Sequence, residues 1–163
     1  MTGKSLRNPI IVAVTVAIAA AVVGGLLTNL GPWYYALKQP SWKPPDWLFG
    51  PAWTTIFACA ATAGVLAWRR AETSKSRTTI IALFAINFCC NSLWSLLFFK
   101  LQRPDWALME VGFLWLSIAA LIYFLYPLSK LASLLLLPYL LWVSFASILN
   151  WSIVQMNAPF LGI

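Results

Sequence analysis

The chain has 163 residues, 61% of them apolar and 9% charged, with a formal net charge of +7. Soluble domains carry about 25% charged residues, so this composition, with a mean hydropathy of +0.81, excludes a water-soluble protein and describes an integral membrane one. The lysines and arginines flank apolar runs, where they set topology and meet lipid headgroups, and nucleic acid is excluded as a partner.

A helix crosses a bilayer with about 20 residues at ~1.5 Å each. Five runs qualify, at 10–30, 47–68, 78–99, 106–126 and 131–154. The first follows Lys4 and Arg7, yet it is longer than the ~7–15-residue apolar core of a signal peptide and is expected to stay in the chain. Along it Ala13, Ala17, Ala21 and Gly25 recur every four residues, a small-residue face suited to a homodimer or to packing within the bundle. The connections of 16, 9, 6 and 4 residues predict sequential helices packed as antiparallel neighbours, in one all-α domain over 1–163. Five crossings put the termini on opposite sides. Lys4, Arg7, Arg69, Arg70, Lys75, Arg77 and Lys130 share one side, against Lys38, Lys43, Lys100 and Arg103, so the N-terminus is expected in the cytoplasm.

The connection between the first two spans leads into the second as "WYYALKQPSWKPPDWLFGPAW". Its prolines stiffen the backbone, and Tyr34, Tyr35 and Trp42 offer broad apolar faces at modest ordering cost. The segment reads as a lid over a pocket or as a plug over helix ends. Beneath it the second span brings Trp53 and Phe57, four residues apart. The third brings Asn87, Asn91 and Trp94 at a 4,3 spacing, and the fifth brings Tyr139, Trp142, Ala146 and Asn150 at 3,4,4. Each set forms one helical stripe. The far halves of the spans are plain aliphatic by contrast. The asparagines read either as interhelical ties or as ligand contacts. Trp33, Trp47, Trp68 and Trp106 fit an interfacial belt, whereas Trp53, Trp115 and Trp142 lie deeper, Trp115 against lipid or a neighbouring helix. Ala146 leaves room between two large neighbours, and Pro138 is expected to kink the fifth span near Tyr139.

Chemistry has little to work with. There is no histidine, Cys59, Cys89 and Cys90 fall within spans without ligand spacing, and no metal or cofactor is expected. Among the four acids only Glu110 falls within a span, about one turn inside the fourth. It reads as a headgroup-level carboxylate or an intramembrane one.

The blocks "WYYALKQPSWKPPDWLFGPAW", "NSLWSLLFF", "WALME" and "PYLLWVSFASILNW" are similar to the translocator protein, or tryptophan-rich sensory protein, family across about residues 30–155. The resemblance implies a five-helix bundle, commonly a homodimer, in a membrane expected to be a prokaryotic cell membrane. It implies binding of porphyrins such as protoporphyrin IX and of flat hydrophobic drugs. By motif, the ligand-binding positions would be Tyr34, Pro44, Trp53, Phe57, Asn91, Trp94, Trp142, Ala146 and Leu149. Light-dependent porphyrin breakdown in some members would put Trp53 and Trp142 in a catalytic role, and a structural scaffold is the further alternative. Lys43 and Asp46 stand where animal members carry histidines, so a metal-free porphyrin is favoured over a histidine-ligated haem. The family's C-terminal sterol motif loses its tyrosine to Trp151 and its basic residue altogether, leaving regulated sterol binding without its motif.

Overall fold

The computed structural model describes residues 7–160. Lys4, one of the residues in the orientation argument, lies outside them. All the regular structure described is helical, and five helices are long and apolar enough to cross a membrane. The elements are α1 (Arg7–Leu27), a short α2 (Pro32–Ala36), α3 (Phe49–Arg70), α4 (Ser74–Ser95), α5 (Pro104–Leu125), α6 (Lys130–Leu134) and α7 (Leu137–Asn157). A 3-10 turn at Asp46–Leu48 leads into α3, and a π turn at Leu96–Lys100 extends α4. Starts are chemically marked. Thr73 caps α4 by accepting from the Ser76 N–H at 3.1 Å, Ser129 caps α6 from Ala132 at 3.2 Å, and proline sits in the first turn of α5 and of α7.

The fifth predicted span is two helices. Pro138 lacks the N–H that would bond back into the previous turn, and the helix breaks between Leu134 and Leu137 rather than bending at Tyr139. The π turn has no forewarning in residue type. It ends in a left-handed Gln102 (φ 53°), with the Arg103 N–H bonded to the Leu97 carbonyl at 2.9 Å, which closes the helix end.

α1 packs against both α3 and α4, α4 against α5, α5 against α7, and α3 against α6 and α7, closing a ring. Thus α3 and α4, though consecutive, touch mainly in the halves nearest their connection, where Phe84 lies against Gly64. On α1 the side turned to the bundle carries Ala13, Ala17, Ala20 and Gly24, while Ala21 and Gly25 are exposed. A 3.6-residue helix rotates a four-residue stripe off its face, and at Gly24 an added side-chain carbon would meet open space rather than a neighbouring helix.

The core has three levels. At the α3–α4 connection it is mostly aliphatic, built on Ala63, Ala67, Leu121, Leu125 and Leu136. Ile56, Leu114, Ile118, Tyr139 and Val143 form the middle, and Tyr34, Phe98, Ala107, Leu149 and Ile153 close the end beneath the α1–α3 connection. The aromatic groups therefore concentrate in the half-bundle expected from the sequence.

Candidate functional site

α3 and α7 run antiparallel in a register that sets Phe49 edge-on to Trp142 (centroids 5.5 Å apart) and, one turn deeper, Trp53 edge-on to Tyr139 (5.9 Å). Residues four apart on α3 and three apart on α7 make this ladder, as helical periodicity requires. Phe57 extends it against Trp53 at 5.3 Å, and Phe145 extends it from Trp142 at 5.7 Å. From α4 the Asn91 amide donates to the Tyr139 hydroxyl at 3.0 Å. Trp94 stacks on Phe98 at 5.1 Å and joins both the middle and the end levels of the core.

The α1–α3 connection lies over this end. Tyr34 is buried, touches Phe99 at 5.9 Å and donates its hydroxyl to Asp46 at 3.1 Å. Lys43 pairs with the same carboxylate and lies over the rings of Tyr34 and Phe49. Burial pushes the Tyr34 phenol above its ordinary range, with the Lys43 ammonium pulling the other way. Burial draws Lys43 down, but its hydrogen bonds to Asp46 and Tyr34 outweigh that and leave it raised. Trp42 meets Phe145 edge-on at 5.9 Å. At the far end of the chain, Asn157 accepts from the Lys38 N–H and donates to the Lys38 carbonyl, both at 2.8 Å.

The structure thus brings Trp53, Phe57, Asn91, Trp94 and Trp142 together around the α3–α4–α7 seam, with Tyr34 and Leu149 at the level above. Pro44 and Ala146 are half-buried on the connection and on α7. Phe49, Trp42 and Phe145 complete the aromatic set and were not among the predicted positions, although Phe49 stands four before Trp53 and Phe145 three after Trp142. Three of the asparagines are ties between helices, Asn91 through its bond to Tyr139 and two others besides. Asn87 donates to Ser117 at 2.9 Å, and Asn150, in the amide orientation that satisfies it, bonds the Pro104 carbonyl and the Leu108 N–H at 3.1 Å each.

Other assignments shift. Of the four tryptophans read as an interfacial belt, Trp33 is half-buried against Phe98 and Trp68 against the aliphatic level of the core, whereas Trp47 and Trp106 are exposed. Trp115 faces a neighbouring helix, donating to Ser144 at 2.9 Å. Glu110 is buried on the inner side of α5. A shallow groove of about 420 Å³, lined by Lys75, Thr78, Thr79, Ala82, Leu83 and Phe124, lies at the opposite end from these aromatics.

Five membrane-crossing helices, an aromatic seam bearing an amide and a proline-rich connection folded over it define a tryptophan-rich integral membrane bundle. The model for the TspO/MBR family matches residues 11–156. The chain is 45% identical over 130 residues to the tryptophan-rich protein TspO of Chlorobaculum tepidum, spanning 77% of this chain and 80% of that protein. It is 37% identical over 151 residues to the tryptophan-rich protein TspO of Archaeoglobus fulgidus, spanning 91% and 97%. With the human translocator protein it shares 30% over 131 residues, spanning 80% and 78%. The chain belongs to the TspO/MBR family, and its bacterial and archaeal relatives fit a prokaryotic membrane.

Proposed function

We propose that this chain is a membrane receptor or carrier for porphyrin-like ligands such as protoporphyrin IX, with a sensory or stress-regulatory output. One observation carries the reading: Phe49, Trp53, Tyr139 and Trp142 meet across a single seam with the Asn91 amide beside them. Indole and phenyl faces suit a flat polycycle, and an amide suits its polar edge. In this reading the α1–α3 connection is the lid, Tyr34 and Pro44 its inner lining, and Ala146 and Leu149 the wall on α7. The N-terminus is cytoplasmic, which puts the lid on the other side of the membrane. The assembly is a homodimer embedded in lipid, with detergent mass measurements on lipid-retaining samples as its check. Titration of the purified protein with protoporphyrin IX in darkness should quench tryptophan emission saturably. A folded chain that shows no quenching would overturn the reading.

Light-dependent porphyrin degradation is the second reading, favoured by Trp53 and Trp142, two oxidisable rings each set against another aromatic. A new product spectrum under illumination supports it, and quenching without product supports binding alone. Neither response would leave a structural scaffold.

A further inference from the structure

The α4–α5 seam holds two buried polar groups that no described residue satisfies: both carboxyl oxygens of Glu110 and the indole Nε1 of Trp94. Glu110 is 6% exposed. The Asn87–Ser117 bond fixes the register of the two antiparallel helices, and two turns along each from that bond lead to Trp94 on α4 and Glu110 on α5. Positions seven apart share a helix face, so both groups stand at one level, ~10 Å from the bond. The Cys90 thiol, one turn from Trp94, lies beside the carboxyl without bonding geometry to either oxygen. Tyr139 on α7 is the other titratable group facing this level, and Ala107, Val111 and Leu114 are the apolar surroundings.

A buried polar group without a partner is costly, more so within a membrane, and native chains leave few of them. Here the deficits are complementary. The carboxyl lacks a donor and the indole N–H lacks an acceptor. Resting on the receptor reading above, we infer that Glu110 and Trp94 form the polar floor of the ligand site and take an N–H group adjacent to a carbonyl, as in a lactam or imide edge of a flat ligand. The ligand N–H donates to Glu110, and its carbonyl accepts from Trp94.

The test compares 1,8-naphthalimide with its N-methyl derivative, two flat probes that differ at the N–H, on wild-type protein and variants. Wild type should bind the N–H probe about tenfold more tightly, the factor carried by one buried hydrogen bond. Glu110→Gln keeps an acceptor oxygen of the same shape and should keep the preference. Glu110→Met keeps the volume without the acceptor and should lose it, and Trp94→Phe should weaken both probes. Equal affinity of wild type for the two probes, binding of neither by a chain that binds protoporphyrin IX, or a preference that survives in folded Glu110→Met would each overturn the inference. Binding of neither probe nor protoporphyrin IX would overturn the receptor reading and this floor with it.

Discussion

The Asn91 amide donates to the Tyr139 hydroxyl at 3.0 Å, linking α4 to α7 across the middle of the bundle. The same Tyr139 ring is the edge against which Trp53 rests, so one tyrosine orients an amide and an indole together. Tyr139→Phe keeps the ring and removes the hydroxyl. It should cost about 1 kcal/mol of stability, the net value of one such bond. Asn91→Ala should cost more, because it leaves the hydroxyl buried without a partner. Thermal unfolding in one detergent, run as a double-mutant cycle, measures the coupling. Additive losses would mean that the bond contributes nothing.

Ala146 is half-buried on α7 between Trp142 and Asn150. Enlarging it to leucine should leave the bundle folded while lowering affinity for protoporphyrin IX by about tenfold or more, since overfilling a fitted site costs ~1–3 kcal/mol. Fluorescence titration of Ala146→Leu checks this, and unchanged affinity would move the ligand away from α7.

Phenylalanine at Trp53 or Trp142 preserves an aromatic face but removes the indole nitrogen and the oxidisable ring. Each variant should lose no more than about the 0.5–1.5 kcal/mol of an aromatic pair in porphyrin affinity. If the rings also carry photochemistry, the illuminated spectral change should vanish while dark binding persists. Equal light-dependent turnover in wild type and both variants would remove them from any catalytic role.

The Lys43–Asp46–Tyr34 cluster predicts a pH window for the connection above the site. Lys43 and Tyr34 both hold their protons more tightly in the folded chain than their ordinary values of 10.5 and 10.0. A raised folded value means that the stabilisation is complete below the ordinary value and is lost as pH rises through the folded one. Protection factors in residues 34–46, corrected for base-catalysed intrinsic exchange, should therefore be constant from about pH 6 to 9 and fall only in stronger alkali. Lys43→Met should loosen the segment at every pH, and identical protection in the variant would show that other contacts hold it.

Ala17 is half-buried on the side of α1 turned to the bundle, where a larger side chain would push α1 outward. Ala17→Leu should destabilise the protomer, with any change in oligomeric mass following from that, whereas the same change at exposed Ala21 should leave protomer stability within about 0.5 kcal/mol. Unfolding curves of the two variants decide between an intramolecular and an intermolecular role for the stripe.

The sequence was most informative where a regular helix fixes direction. Trp53, Asn91 and Trp142 could be placed on inward stripes because 3.6-residue periodicity leaves little freedom once depth is known. It was silent where backbone departs from that period. Nothing in "LLFFK" signals a π turn, because a five-residue hydrogen bond changes register without demanding a residue type, and Gln102 fills a left-handed position usually taken by glycine or asparagine. Which way Glu110 faces was not legible for a related reason. Its depth along α5 was readable, but which way it faced depended on how α4 docks, and that is set by Asn87 and Ser117, 30 residues apart. The packing of Trp33 onto Phe98 was hidden in the same way, since Phe98 is carried by the π turn.

The reciprocal bonds between Lys38 and Asn157 join positions 119 residues apart. During synthesis the connection above the aromatic seam leaves the ribosome while α7, on which it rests through Trp42 and Phe145, has yet to be made. Its final seating thus waits for the last helix to insert, and nascent chains arrested before α7 would carry an unclamped connection and an aromatic seam without its second wall.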